Sequence, residues 1–388
     1  MNNWDSMENS KSLSSLADHL SEMPGHHSLP RIENPRVMKK RLAIEKVIKD
    51  NPDDEAAQIE AIAKIRPYFM GHGRAVDIVN SYTNGTVDVQ ETVCRIAEPI
   101  ERAYITANGG RLFVAEERIA RTQRGYHSPE KALEMWGPEE DLDELQSRVT
   151  GPDDGPRVEG ELWDLYYTIL HAAKKTPWRD ESAQQKLVDL VAALKARPDP
   201  DFPANMTIPL KNNWIYEWGR LWSDAILFGP SSREAWNDSL GCGAGWYPPE
   251  VRGSVNINAF WGRLTGQGVH DFGIYATWAL REALDEEIDV SMDSHEPAPS
   301  REYKAEALFE VAAVWIRLAG QSVFEYLLRD AASNKEKASR APKESKWDQW
   351  QKRFEEEAAR LHYSPMVTAV AKECAEIMSL ISAQAKNL

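Results

Sequence analysis

The chain has few cysteines and no long apolar run. The first shortage argues against a zinc site and the second against a membrane-spanning segment. Its three cysteines, Cys94, Cys242 and Cys374, lie far apart and none belongs to a CxxC or CxxxH pair. The usual zinc spacing is therefore missing, and we expect reduced thiols and no metal. The strongest apolar stretch, residues 311–316, stops at Arg317, and the N-terminus lacks a signal-peptide core. These shortages predict a cytoplasmic protein with no transmembrane segment, and a nuclear location stays open.

Positive charge is also in short supply. Lys and Arg number 46 against 61 Asp and Glu, which gives a formal net charge of −15. Sequence-independent binding to nucleic acid or to an anionic membrane depends on Lys and Arg that neutralise phosphates. We therefore expect no nucleic-acid partner and no membrane partner.

Strand signals are sparse, whereas helical patterns recur along the chain. Only residues 86–89 and 254–257 alternate like strands, and both stretches are too short to build a sheet. The clearest helical stripe consists of Leu162, Leu165, Tyr166, Ile169, Leu170 and Ala173. These positions follow the i, i+3, i+4, i+7 spacing of one helix face. The sequence predicts an all-α protein, an irregular multi-helix bundle of roughly ten to twelve helices.

Composition divides the chain into four parts. Residues 1–35 are rich in Ser, Asn, His and Pro and predict a disordered tail. Residues 36–136 form an N-terminal helical segment, followed at 137–160 by a Gly-, Pro- and acid-rich linker or surface loop. Residues 161–388 form the main, Trp-rich helical segment. Residues 36–388 could equally form one domain.

Tryptophan is abundant, with 14 in the chain, and many of these lie between residues 214 and 281. Trp214, Trp218 and Trp222 are spaced i, i+4, i+8 and predict one helix, broken by Gly229-Pro230. The same region contains several arginines. Aromatic walls with a few charges can form a ligand pocket. They can equally form a closed core in which arginine stems pack on indole rings.

The pocket interpretation assigns a role to particular side chains. Its ligand-binding candidates are Trp222, Arg233, Trp236, Asn237, Trp261, Arg263, Trp278 and Arg281, with an arginine holding an anionic group. Asp271 is the candidate catalytic base, unless its carboxylate caps the helix that follows. That helix is apolar on two faces, one of them formed by Ile274 and Trp278, which predicts that it is buried.

Sequence motifs of common catalytic sites are missing. The glycine-rich stretch 241–245 lacks the Gly-Lys-Ser/Thr ending of a P-loop, and no HExxH, GxSxG or EF-hand pattern occurs. We therefore predict a non-enzymatic interaction or scaffold protein with an unknown protein partner and no cofactor. The alternative is a small-molecule-binding protein or a cofactor-free enzyme that uses the Trp- and Arg-rich region.

Several long segments resemble a known family. They are LWDLYYTILHAA (162–173), LVDLVAALKARPDP (187–200), FGPSSREAWN (228–237), VNINAFWGRLTGQGVHDFGIYATWALREAL (255–284) and VAAVWIRLAG (311–320). Together they resemble a fungal family defined as a domain of unknown function, number 3632, and residues 80–100 are similar to its N-terminal helix. The resemblance implies a fungal source and a single helical unit, but no activity, cofactor or catalytic residue. Some relatives lie near secondary-metabolite gene clusters, which connects the small-molecule alternative to fungal secondary metabolism.

Overall fold

The computed structural model describes residues 35–66, 68–106, 108–136, 139, 141–148, 157–200, 220–288, 298–335, 345–360 and 364–386. These residues form fifteen α-helices and no strand, which confirms the all-α class. The first eight are α1 (Pro35–Asp50), α2 (Glu55–Ile65), α3 (Arg74–Thr83), α4 (Val89–Thr106), α5 (Asn108–Gln123), α6 (Pro129–Trp136), α7 (Leu142–Arg148) and α8 (Arg157–Lys175). The others are α9 (Glu181–Ala196), α10 (Phe228–Trp236), α11 (Pro248–Gly266), α12 (Gly273–Leu284), α13 (Arg301–Lys335), α14 (Lys346–Ala358) and α15 (Pro365–Lys386).

Helix starts follow local capping chemistry. Asp88 Oδ1 accepts the Glu91 N–H at 2.9 Å immediately before α4. The Ser128 hydroxyl accepts the Lys131 N–H at 3.3 Å before α6, whose first residue is a proline. An N-cap oxygen binds one of the amides that a helix leaves unpaired, and proline at the first position has no amide to lose. Both starts are therefore determined by a few neighbouring residues.

Helix α11 lies at the centre of the core. It is buried along almost its whole length and packs against α13, α8, α9 and α2. At Gly266 an added Cβ would lie 2.1 Å from the Leu318 carbonyl oxygen. Glycine thus allows the end of α11 to contact the backbone of α13, next to the kink at Ala319. One continuous core cluster extends from Val79 to Ile381 and includes helices from both sides of the 137–160 stretch.

Residues 35–72, here called the N-terminal arm, attach to this body through α8 and α11. Ile44 and Ile62 form a small separate hydrophobic cluster with Tyr247. The Tyr247 hydroxyl lies 3.2 Å from a Glu45 carboxylate oxygen, and the Tyr68 hydroxyl donates to Glu250 at 2.7 Å. The arm therefore combines a small apolar contact with several hydrogen bonds to residues far along the chain.

The predicted helix through Trp214, Trp218 and Trp222 is described only at its last tryptophan, and there it is not a helix. Trp214 and Trp218 lie outside the described residues, as does the predicted tail apart from Pro35. Trp222 lies in a turn, so its assignment to a helix is wrong. The backbone N–H of Trp222 donates to the Asp199 carboxylate at 2.6 Å, and this hydrogen bond holds the chain in the turn. Gly229-Pro230 falls within the first turn of α10, where proline is tolerated.

The sequence predicts no segment that could span a membrane, and helix α13 is an exception to this prediction. By length and composition alone, residues 301–333 could do so. However, 67% of the apolar window is buried inside the protein. Burial of this kind is typical of a core helix, and α13 packs against α11, α12 and α15.

Candidate binding groove

An open groove of about 800 Å³ lies between α8, α10 and α12. Its walls are formed by Trp163 and Tyr167 on α8 and by Tyr275 and Trp278 on α12. Gly229-Pro230, Glu234, His270 and Phe272 also line it. We call this surface the aromatic groove. Its mouth contains Ile274, whose side chain is 44% exposed, so apolar surface faces solvent here.

A stack of rings supports the α12 wall. The Tyr275 ring lies 5.1 Å from Trp236 and 5.3 Å from Trp261, in both cases in a stacked arrangement. Trp278 meets Tyr275 edge to face at 5.1 Å. Such contacts contribute about 0.5–1.5 kcal/mol each beyond area burial. The exposed edge of the groove is thus held in place by buried rings behind it.

The α8 wall is ordered in the same way. Trp163 and Tyr167 lie one turn apart and stack at 5.4 Å, and Phe69 of the N-terminal arm stacks on Tyr167 at 5.2 Å. The Trp163 indole N–H donates to Glu159 at 3.2 Å. These contacts fix the orientation of both rings before any ligand binds.

A strained turn precedes the α10 side of the groove. Ala225 and Leu227 have positive φ angles of 50° and 70°, and both residues are buried. For side chains other than glycine this conformation costs on the order of 1–3 kcal/mol. The turn leads directly into Gly229-Pro230 and sets the direction in which α10 presents Arg233 and Glu234.

The rim of the groove carries charges that already have partners. The Arg233 guanidinium lies 5.7 Å from the Trp278 ring centre and donates to Asn237 at 3.1 Å. Asn237 in turn donates to Glu234 at 3.1 Å. Asp271 accepts the Gly273 N–H at 2.8 Å and pairs with Arg329 at 3.1 Å. The Asp271 carboxylate therefore binds the first amide of α12 and pairs with an arginine, and neither contact leaves it placed as a base.

Burial shifts the pKa values of the groove side chains. Burial raises the pKa of Tyr167 and of Tyr275 to about 12, with carboxylates such as Glu234 acting in the same direction. Both hydroxyls therefore keep their protons at neutral pH. Burial lowers the pKa of His270 to about 4, and Lys195 adds to the effect. The ring of His270 is neutral at pH 7.

The structure brings some of the candidate residues together and separates others. Arg233, Asp271 and Trp278 line the groove, Trp236 packs behind it, and Asn237 holds Arg233. Four candidates lie outside it, and each has another environment: Trp222, Trp261, Arg263 and Arg281. The first two are core residues, and their indoles donate to Glu101 and Ser232, respectively. Arg263 is buried and donates to the Trp178 carbonyl, whereas Arg281 is exposed and pairs with Glu286.

The expectation that α12 is buried on both apolar faces is wrong for one face. Tyr275, Ala276 and Ala279 are buried as predicted. Ile274 is exposed and Trp278 is half-buried, because this second face forms the wall of the groove. Sequence reasoning also missed Trp163 and Tyr167. Their i, i+4 spacing beside the apolar stripe of α8 was a usable signal for a second, aromatic face.

A buried polar cluster lies near the groove, beneath the N-terminal arm. Lys174 Nζ contacts Asp238 Oδ2 at 2.6 Å, and both side chains are almost inaccessible. Asp238 also accepts the Phe69 N–H at 3.2 Å. Burial lowers the pKa of Lys174, and the Asp238 charge opposes this. The cavity that adjoins the pair has a volume of about 20 Å³, which is room for one water molecule.

A second part of this cluster surrounds Glu250. Its carboxylate accepts the Gly245 N–H at 3.0 Å and pairs with Arg66 at 2.6 Å. Burial raises the pKa of Tyr68 well above its usual value, and the adjacent Glu250 adds to this effect. Such perturbed groups also occur in structural networks. Here Arg66, Tyr68 and Phe69 of the arm all bind Glu250 or Asp238 of the body, which assigns the cluster a structural role.

Metal binding receives no support from the described part of the chain. No group of three or more His, Cys, Asp or Glu side chains lies close enough there to hold an ion. Cys94, Cys242 and Cys374 are all free thiols.

Comparison with known proteins gives one match. No curated protein matches the chain, and no solved structure does. Residues 166–354 match the family model described as "Protein of unknown function (DUF3632)". This stretch begins within α8 and includes α10 and α12. It therefore contains every lining residue named for the aromatic groove except Trp163. The chain therefore carries, over residues 166–354, a domain of the DUF3632 family of proteins of unknown function.

Proposed function

We propose that the protein is a non-enzymatic binding protein that holds an extended segment of a partner protein in the aromatic groove. The observation that supports this most directly is the composition of the groove. Trp, Tyr and Arg side chains line it, and Ile274 is exposed at its mouth. These are the residue types that contribute most to binding at protein interfaces.

The shape of the groove favours a protein segment over a small molecule. Small-molecule sites usually enclose most of their ligand's surface. This groove is open to solvent along its mouth, where Arg233 and Asp271 are exposed. An extended segment can lie along such a surface and still leave its other side in water.

The charges favour binding over catalysis. A general base needs an available carboxylate or imidazole within reach of the substrate. Asp271 is engaged by Arg329 and by the Gly273 amide, and its side chain is more than half exposed. A base activated by burial does not fit this environment. His270 also lines the groove, but burial lowers its pKa to about 4, which makes its imidazole a weak base.

Selection of displayed random peptides on the full-length protein tests the proposal. A variant with Tyr167→Ala and Trp278→Ala serves for counter-selection, because it removes one ring from each wall. Tyr126→Ala is the matched control, since Tyr126 is an exposed aromatic residue at 68% accessibility that does not line the groove. We expect peptides that bind the wild type and the Tyr126 variant and that lose binding to the groove variant.

Two results would contradict this function. One is a set of selected peptides that bind the groove variant as well as the wild type. The other is a bound mass of a few hundred daltons in native mass spectrometry of the gently purified protein, lost in the groove variant. That second result would replace the protein partner by a small molecule in the same groove.

A further inference from the structure

The hydrogen-bonding groups of the groove walls are mostly donors. Among the described residues, none accepts a hydrogen bond from the Tyr167 hydroxyl, the Tyr275 hydroxyl or the Trp278 indole N–H. The raised pKa values of both tyrosines keep these hydroxyls protonated. These two hydroxyls and the indole N–H are therefore available to donate hydrogen bonds to a ligand in the groove. A ligand that complements such a surface offers carbonyl oxygens and few donors of its own.

The backbone of the groove restricts how a segment can bind. The walls and one side belong to α8, α10 and α12, and helix interiors use their own amides and carbonyls. No strand occurs in the described ranges, so this part of the chain offers no sheet edge for strand addition. A bound segment must instead make its contacts through side chains of the groove.

Proline-rich chain in the polyproline II conformation meets these requirements. Proline has no amide N–H, and the polyproline II backbone leaves its carbonyl oxygens free to accept. Its rings pack on aromatic side chains, and it loses little conformational entropy on binding. A helix pairs its own backbone carbonyls and would leave the donors of the groove unused. An extended strand of other residues brings backbone N–H groups, which these donors cannot accept.

The charges indicate which residues flank the prolines. Glu234 and Asp271 line the groove, and the chain as a whole has a net charge of −15. Arg233 is the opposing charge, and it covers the face of Trp278. A basic segment would be drawn toward the acidic protein, and a proline that packs on Trp278 must displace Arg233 from that ring.

We infer that the aromatic groove binds proline-rich segments flanked by Lys or Arg, with prolines packed against Trp278 and Tyr167. This inference rests on the proposed function and specifies its partner. It assigns Arg233 an unusual role, because this residue occupies the ring face that the ligand needs. Removing Arg233 should therefore strengthen binding, whereas for an anionic ligand it would weaken binding.

Titration of the full-length protein with a synthetic peptide provides the test. The peptide has about eight prolines with one arginine at each end, and its control has alanine in place of every proline. We expect saturable quenching of tryptophan fluorescence by the proline peptide only. Tyr167→Phe keeps the ring and removes one donor, and it should weaken binding about fivefold. Arg233→Gln should strengthen binding about twofold to fivefold.

Controls separate the possible failures. Tyr126→Phe removes an exposed hydroxyl outside the groove and should leave affinity unchanged. Equal binding of both peptides, or binding unaffected by Tyr167→Phe and Arg233→Gln, would overturn the inference. If the proline peptide does not bind but the display selection yields other groove-dependent peptides, only the inference fails. If that selection yields none, the proposed function fails with it.

Discussion

The Lys174–Asp238 pair allows a quantitative test of how the N-terminal arm is held. Lys174→Met keeps the length of the side chain and removes its charge, which leaves the Asp238 carboxyl without its cation in a site that is only 4% accessible. Removing one partner of a buried ion pair typically costs about 3–5 kcal/mol, because the remaining charge is not compensated. We expect a loss of this size in the free energy of unfolding.

The same loss can be expressed as a shift in Tm. An unfolding entropy of about 2.1 cal/mol/K per residue gives about 0.8 kcal/mol/K for a chain of this length that unfolds as one unit. The Tm of Lys174→Met should then fall by about 4–6 °C. Adding Asp238→Asn should recover most of the loss, because asparagine is neutral and still accepts the Phe69 N–H.

Urea unfolding followed by tryptophan fluorescence measures these differences, and calorimetry measures the Tm. Lys372→Met is the matched control, since Lys372 is 73% exposed and lies 3.9 Å from Glu376. It should change stability by less than about 0.5 kcal/mol. The reasoning is refuted if Lys174→Met costs no more than this control, or if the losses of Lys174→Met and Asp238→Asn simply add.

Three further changes test other parts of the structure. The pKa of His270 falls from 6.5 to about 4 on folding, so its contribution to stability is complete above pH 6.5 and is lost as the pH falls toward 4. His270→Asn should remove about 2–3 kcal/mol of acid sensitivity when urea unfolding is compared at about pH 7.5 and 4.5. Burial raises the pKa of Glu282 to about 7, so its contribution is present below pH 4.5 and is lost as the pH rises through 7. Glu282→Gln should therefore exceed the wild type by about 2 kcal/mol near pH 8 and match it near pH 4.5. Gly266→Ala should lower stability by about 3 kcal/mol, because its Cβ meets the Leu318 carbonyl oxygen, whereas Gly160→Ala has open space and should be neutral or slightly stabilising in a thermal melt.

The fold class follows from local patterns. The stripe from Leu162 to Ala173 is buried in α8, and Ser128, next to α6 in sequence, caps that helix. These features depend on residues within a few positions of one another, so one sequence contains the information. The short helix α7 within the acidic 137–160 stretch shows the opposite case, because it has too few residues for a clear periodicity.

The groove depends on contacts that spacing does not encode. Trp261 and Trp278 have similar sequence surroundings, yet one is 1% exposed in the core and the other lines the groove. The difference arises from which neighbours pack on each ring. Trp163 and Trp278 are more than a hundred positions apart, so only the tertiary fold brings them to the same groove. The buried Lys174–Asp238 pair also joins residues that are far apart in the sequence, so residue spacing does not predict it.

The N-terminal arm has a consequence for synthesis of the chain. Its contacts Phe69–Asp238, Tyr68–Glu250 and Glu45–Tyr247 join residues 169, 182 and 202 positions apart. At about 5–20 residues per second, a ribosome needs on the order of 10–35 s to extend the chain from the arm to its docking surface. During that interval Ile44 and Ile62 have no Tyr247 to pack against. Helices α1 and α2 of the arm therefore cannot complete their packing until α11 has been made.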